Sequence, residues 1–359
     1  MTLTIGIDCR KVSDFGIGTY IRGLLGAYRE ISVDEEFVLF GPESLRAIIP
    51  ESDPRFTIVE ETSPHYSIEE LAALERQLER YPVDVFHAPH YVTPFGRTRM
   101  VVTIHDLIHL DFPSSNPAAI LYARWMIGRS IRKSSRILTP SDTVGKAIEK
   151  RFVKARGRVT VTPNGVDPAF FTPPDPSTET AFLARLGLER GEYLLYLGND
   201  KPHKNVDLLV RAYREAFSET SLTRLVLIGG DFRRFDSVQG VRHPGFLSSE
   251  EIRAAYAAAA ALVMPSLYEG FGLPVIEAMA SGTPVIISDG GALPEIAGDA
   301  ALMFALGKPS SLGEALVRII SDPELRATLR QKGLARAREF SWLDTARKTL
   351  EVYRAAAGN

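Results

Sequence analysis

Cysteine is nearly absent from this 359-residue chain: the single Cys9 cannot form an intramolecular disulfide, which excludes small stapled scaffolds and fits a reducing compartment. A membrane-spanning run is missing too. The longest stretch without a charge, Ala254 to Tyr268, falls short of the roughly 20 apolar residues that a span requires and is broken by Pro265. Neither charge sign is in surplus. With 42 basic and 44 acidic residues the formal net charge is -2, so nothing in the bulk charge points to nucleic acid. The opening MTLTIGIDCR sets Asp8 and Arg10 after only a few apolar residues and reads as a strand, not as the apolar segment of a secretory signal. No Asp-x-Asp occurs, so the chain has no obvious closely spaced carboxylate pair for a divalent cation.

What is present is length and pattern. The length suits two domains, each with its own core. Short apolar runs alternate with amphipathic stretches, the signature of βαβ units and a parallel sheet. In the first series the strands read Leu3–Ile7, Phe37–Phe40, Phe56–Val59, Asp84–His87, Met100–Ile104 and Arg136–Pro140. Helical patterns lie between them at Tyr20–Ile31, Ile68–Arg80, Ala118–Ser134 and Thr143–Phe152. A proline-rich bridge, VTPNGVDPAFFTPPDPS, then breaks regular structure and marks the domain boundary. The second series has strands at Tyr193–Leu197, Arg224–Ile228, Ala261–Met264, Val285–Ser288 and Ala301–Phe304. Its helices read Val206–Glu219, Ser249–Ala259, Pro274–Ser281 and Leu312–Ser321, and SWLDTARKTLEVYRAA forms a last one.

The near-zero charge is a cancellation. Residues 1–120 hold 10 basic and 18 acidic residues, whereas residues 121–160 hold 11 basic and 2 acidic. Within the basic segment YARWMIGRSIRKSSR interleaves Trp125, Met126, Ile127 and Ile131 with Arg124, Arg129, Arg132 and Lys133. That is the composition of an interfacial helix, though a core-facing stripe with a solvated basic face is the commoner origin of such a pattern.

The strongest chemical signal is PSLYEGFGLPVIEAMASGTPVI, from Pro265 to Ile286. A strand ends at Pro265, a glycine-flanked loop follows, and Pro274 is preorganised for a first helical turn. The N–H groups of Gly270, Phe271, Gly272 and Leu273 would gather where unsatisfied donors and the helix dipole favour a phosphate or sugar oxygen. Glu269 precedes the loop, and Glu277 is expected in the helix's first turn. Two carboxylates beside an anion site suit a polyol next to a phosphate, because an ionised carboxylate accepts hydrogen bonds from hydroxyls. GNDKPHKNVDLLVRAY supplies the cation. Lys204 precedes Asn205, a candidate N-cap, and Lys201 and His203 lie beside it. In the first series DFGIGTYIRGLL sets Gly16 and Gly18 between strand and helix, a pattern that a tight turn explains almost as well as a ligand. His105 and Asp106 follow the strand Met100–Ile104, where open α/β sheets place ligand groups. His105 and His109 are four apart and His87 and His90 are close, yet no third ligand has matching spacing and Asp106–Asp111 reads as loop, so no metal is expected.

These motifs together resemble retaining glycosyltransferases of family 4, bacterial mannosyltransferase-like members of group 1. The resemblance runs through GIGTYIRGLL, TIHDLIHL, TPSDTVGKAI, VTPNGVD, LGNDKPHKN, EGFGLPVIE with its Glu-x7-Glu, LPEIAGDAAL and FSWLDTARKTL. It implies the GT-B architecture, two Rossmann-like doubly wound parallel-sheet domains facing across a cleft. Residues 1–168 would bind the acceptor, with 341–359 packing back on them, and residues 169–340 the nucleotide-sugar donor. It further implies that Glu277 holds the ribose, Glu269 the transferred sugar, and Gly270 to Leu273 the sugar and diphosphate. Lys204 would neutralise the diphosphate, His105 would lie near the reacting carbon, and Gly16 and Gly18 would sit on the phosphate side. Asp106 and Tyr20 are expected on the acceptor side. Asn199 stands where many members carry an arginine, which shifts phosphate neutralisation towards Lys204.

The expected activity is retaining, metal-independent transfer of a hexose, mannose favoured, from a nucleoside-diphosphate sugar, GDP favoured, with no cofactor. The acceptor would be a saccharide or lipid-linked saccharide in surface polysaccharide assembly. An epimerase or phosphorylase on the same fold, or a sugar-binding protein without chemistry, are the alternatives. The expected setting is cytoplasmic, peripheral on the inner membrane face through residues 121–136.

Overall fold

A computed structural model describes residues 2–50, 52–63, 68–112, 117–217 and 223–358. The chain forms two compact units, Met1–Gly165 with Ser341–Asn359, and Val166–Phe340.

The first unit runs β1 (Thr4–Asp8), α1 (Ile17–Glu30), β2 (Glu36–Gly41), β3 (Phe56–Glu60), α2 (Ile68–Arg80), β4 (Val85–Ala88), β5 (Met100–Thr103), α3 (Ile108–Asp111), α4 (Pro117–Lys133), β6 (Arg136–Thr139), α5 (Asp142–Arg151) and β7 (Val159–Val161). Its seven strands are all parallel, in the order β3-β2-β1-β4-β5-β6-β7. Because side chains alternate across a strand, Ile5, Ile7 and Leu39 join one buried cluster and Val38, Phe40 and Phe86 the other. Helices therefore cover both faces.

The second unit runs α6 (Pro176–Leu186), β8 (Tyr193–Leu197), α7 (Val206–Ala216), β9 (Arg224–Ile228), β10 (Val241–Arg242), α8 (Ser249–Ala258), β11 (Ala261–Met264), α9 (Leu273–Ala280), β12 (Val285–Ser288), α10 (Leu293–Ala297), β13 (Leu302–Phe304), α11 (Ser310–Ser321) and α12 (Pro323–Ala337). Its six parallel strands are ordered β10-β9-β8-β11-β12-β13. Again two layers form. Leu195, Val226 and Leu262 pack on one face, and Leu194, Leu225 and Ala261 on the other.

The final helix α13 (Trp342–Ala357) belongs to the first unit. Ser341 caps it, and Ala346, Leu350 and Tyr353 enter the cluster of Tyr20, Leu24 and Tyr28. In each sheet the strand order reverses once, between β1 and β4 and between β8 and β11. Those carboxyl-end crevices are where open α/β sheets hold ligands.

Several elements depart from the sequence reading. The α3 turn forms where a loop was expected, because Asp106 Oδ1 accepts from the Ile108 N–H at 2.9 Å and starts it. The α6 helix rises out of the proline-rich bridge: Asp175 caps it by accepting from the Ser177 and Thr178 N–H groups, with Pro176 in its first turn. The short strands β7 and β10 and helices α10 and α12 were not foreseen. The expected end of α7 at residues 218–219 lies outside the described residues. No helix among the described residues is long and apolar enough to cross a membrane.

Candidate functional site

The reversal in the second sheet brings together side chains 65 positions apart. Lys204, in a short turn after β8, places Nζ 2.8 Å from Glu269 Oε1 and 3.0 Å from Oε2. Ser266, fully buried two residues past β11, donates from Oγ to the same Oε1 at 2.6 Å. The Leu267 N–H donates to the His203 carbonyl at 2.7 Å, tying the two loops together. His203 itself is buried. Asn205 does start α7, but in the left-handed region and without a side-chain cap; its Nδ2 donates to the Pro265 carbonyl at 3.2 Å instead. Asn199 is exposed, with Oδ1 accepting from the Lys201 N–H.

After Glu269 the chain passes Gly270 and Phe271 to Gly272, the N-cap of α9, with Pro274 inside the first turn. Phe271 is buried edge-on against Phe340, so it contributes backbone rather than ring to this end of the helix. Glu277 is a correction to the sequence reading. It is the fifth residue of α9, in the second turn, because the helix starts at Leu273. There Tyr256 donates to Glu277 Oε2 at 2.9 Å. Burial pushes the Glu277 carboxyl up to about 7, against the Tyr256 hydrogen bond and with the charge of Asp167 adding to the rise. In the segment VRHPGFLS, which follows β9, Phe246 is 77% exposed.

The reversal in the first sheet carries charge of another kind. Arg10 donates from Nε to Asp8 Oδ1 at 2.8 Å and from Nη2 to Oδ2 at 2.6 Å, with Asp8 fully buried. His90 accepts from the Val92 N–H at Nδ1, so Nε2 carries its proton, 3.5 Å from Asp8 Oδ2. Burial alone would raise the Asp8 carboxyl, but Arg10 and His90 hold it far below the usual carboxylate range.

His105 donates from Nε2 to the Pro89 carbonyl at 2.8 Å, which leaves Nδ1 as the ring's acceptor. Burial lowers its pKa, so the ring is neutral near pH 7. Asp106 starts α3, as above. Gly16 is the N-cap of α1, with φ of 65°, and Gly18 lies in the first turn, buried. A Cβ on Gly18 would sit 2.6 Å from the Val12 carbonyl oxygen, so close packing of α1 on the preceding loop already requires glycine there. Tyr20 is a second correction. It is 1% exposed, with its hydroxyl 3.0 Å from Thr103 Oγ1 and its ring edge-on to His105 at 4.9 Å, so an acceptor cannot reach it. His87 bridges Thr103 Oγ1 at 2.7 Å and the Tyr353 hydroxyl of α13 at 2.6 Å. Among the described residues no group of three His, Cys, Asp or Glu side chains could hold a metal ion.

The basic helix α4 follows the core-facing reading along one side. Met126, Ile127 and Ile131 are core residues, whereas Leu121 and Trp125 are 70% and 48% exposed. Arg129 donates to the Thr93 and Pro94 carbonyls and lies over the Phe95 ring at 4.6 Å, and Lys133 donates to the Pro94 carbonyl. These two cations hold the 93–95 loop. Arg124 and Arg132 face water.

Sequence reasoning missed Ser266, Tyr256, and the Asp8–Arg10–His90 cluster. For the cluster a signal existed: opposite charges two residues apart at the end of a fully apolar strand.

Known proteins match both units. A model described as Glycosyltransferase Family 4 matches residues 16–170, and one described as Glycosyl transferases group 1 matches residues 180–336. A D-inositol 3-phosphate glycosyltransferase of Nocardioides is 31% identical over 354 residues, covering 89% of this chain and 72% of that protein. O-antigen chain mannosyltransferase B of Escherichia coli is 29% identical over 289 residues, covering 77% and 76%. Among solved structures, sucrose-phosphate synthase from Thermosynechococcus elongatus superposes with a TM-score of 0.78 at 21% identity, over 98% of both chains. HepE of Anabaena, solved with UDP-glucose, gives 0.77 at 17% identity, over 98% of this chain and 100% of its own. The chain belongs to the group 1, family 4 glycosyltransferases and has their GT-B fold.

Proposed function

We propose that this glycosyltransferase moves mannose from GDP-mannose to a saccharide or lipid-linked saccharide in surface polysaccharide assembly, with retention and without a metal. The observation that carries the reading is the Lys204–Glu269 contact at the switch point of the second sheet, beside the α9 N-terminus. It sets a cation for a departing diphosphate next to an acceptor for sugar hydroxyls. A nucleoside diphosphate is a competent leaving group, so the site's task is to stabilise developing negative charge, a task assigned to Lys204 and the amides of Gly270 to Leu273. Glu269 is assigned to hydroxyls of the transferred sugar, Glu277 to the ribose, and His105 Nδ1 to a further sugar hydroxyl. Mannose is favoured by the relatives named as mannosyltransferases, of which the Escherichia coli protein covers most of the chain. The UDP-glucose of HepE, at 17% identity, weighs less on the donor.

Thermal shift with GDP, UDP and ADP tests the base. A ligand at 100 times its dissociation constant stabilises by about 2.7 kcal/mol, and GDP is expected to give the largest shift. A larger shift with UDP would redirect the donor, and no shift with any of the three would overturn the reading.

We further propose that the face formed by Leu121, Trp125 and Phe95, flanked by Arg124 and Arg132, meets anionic lipid around the acceptor, on the cytoplasmic side. Each surface cation contributes about 1 kcal/mol to such binding, so the association is salt-sensitive. Vesicles rich in phosphatidylglycerol should sediment the wild type, and less of a Trp125→Ala, Arg124→Glu variant. Equal sedimentation on neutral vesicles would remove this partner.

A further inference from the structure

We infer that Ser266 is a positioning residue that fixes the orientation of the Glu269 carboxylate, and so the place at which its open oxygen meets substrate. This rests on the assignment of Glu269 to the donor sugar. The Glu269 carboxylate has unequal surroundings. Oε1 takes two hydrogen bonds, from Ser266 Oγ at 2.6 Å and from Lys204 Nζ at 2.8 Å, whereas Oε2 takes only the longer one from Lys204 at 3.0 Å. A carboxylate oxygen has about two strong acceptor directions. Oε1 is therefore filled, and Oε2 keeps a direction for a sugar hydroxyl.

Ser266 can impose this because it is packed and bonded on all sides. Its side chain is fully buried, and its carbonyl accepts from Ser288 Oγ, which itself accepts from the Gly290 N–H at 3.2 Å. The Glu269 backbone is gripped by the same turn, its carbonyl accepting from the Ala292 N–H at 2.9 Å. Gly291 permits that approach. Its φ is +58°, and any side chain there would run into the Glu269 backbone. The β12–α10 turn thus holds both ends of the Ser266–Glu269 contact, leaving one rotamer in which Oε1 faces the serine and Oε2 does not. Without the hydroxyl, Lys204 alone would hold the carboxylate, and one ammonium on a long flexible stem fixes neither the tilt nor the position of the group.

The test compares Ser266→Ala and Ser266→Thr with the wild type, using whichever of GDP-mannose, UDP-glucose and ADP-glucose turns over fastest. The expected result is a drop in kcat of about 20-fold for Ser266→Ala with donor KM within about twofold, the pattern of an interaction that matters in the transition state, and recovery of most of kcat in Ser266→Thr. Unchanged kcat in Ser266→Ala, or equal losses in both variants together with a lowered melting temperature, would overturn the inference. Crystal structures of the wild type and Ser266→Ala give a second readout that needs no substrate. Glu269 is expected to leave its wild-type rotamer or populate two, and an unchanged, fully ordered Glu269 would equally overturn the role of Ser266. If the wild type turns over no nucleotide sugar, the donor assignment fails, and the crystallographic comparison still decides this one.

Discussion

The two sheets place charge at the same topological position and treat it in opposite ways. At the β1/β4 reversal, Asp8, Arg10 and His90 are 0%, 6% and 4% exposed; Arg10 bonds both Asp8 oxygens, and His90 Nε2 stands 3.5 Å from Oδ2. At the β8/β11 reversal, Lys204 and Glu269 also pair, but Lys204 keeps 16% of its side chain exposed and Glu269 keeps an oxygen with spare capacity. A closed ion pair is a frame. A pair with an open valence is a ligand site, because a substrate can replace or extend its bonds without leaving a charge unmatched in the interior.

The largest expected effect falls on the second pair. Glu269→Gln or Lys204→Ala should lower transfer per folded molecule by about 10³-fold, the scale of losing one aligned electrostatic group. Steady-state rates beside thermal melts check this, and full activity in either variant would break the comparison. Next comes Asp8→Ala, which strands the Arg10 guanidinium in the core. Urea unfolding should show a loss of about 3 kcal/mol with turnover per folded molecule unchanged. The reverse outcome, lost turnover at full stability, would make the first cluster a substrate site after all.

A smaller effect follows from Glu277, whose folded-state pKa of about 7 lies above the ordinary glutamate value of 4.5. Its contribution to stability is complete below pH 4.5 and is lost as the pH rises through 7, so urea midpoints should fall between pH 5 and 8 and stay flatter in Glu277→Gln. Affinity for the nucleoside diphosphate should climb over the same window, since the ionised carboxylate is the better acceptor for a ribose hydroxyl. Smallest of all, Tyr256→Phe removes the hydrogen bond that lowers this pKa and should move the midpoint upward by less than about one pH unit.

Most of the architecture was legible because parallel strands buried on both faces read as uninterrupted apolar runs, as at Tyr193–Leu197 and Ala261–Met264. The α12 helix escaped because its apolar residues, such as Leu325 and Leu329, are sparse among arginines that serve as carbonyl donors, Arg326 to Ile319 and Arg336 to Ile296. Within the site, Glu269, Lys204 and the glycine loop stood out because each follows a strand end. Their pairing did not. A contact between positions 204 and 269 is set by strand order, which local pattern does not specify. The burial of Tyr20 was not legible either, because which face of α1 turns inward is set by its packing, which puts the ring edge-on to His105.

The connection between the units has a consequence for synthesis. The first core is completed by Ala346, Leu350 and Tyr353, which follow the whole of the second unit in the chain. At 5 to 20 residues per second the ribosome needs roughly ten to forty seconds to deliver them after β7 has emerged. During that interval the inner faces of Tyr20, Leu24 and Tyr28 have no α13 to cover them. The unit that begins first at the ribosome is the one that finishes last, and the early half of the nascent chain depends on whatever shields that face until the final helix arrives.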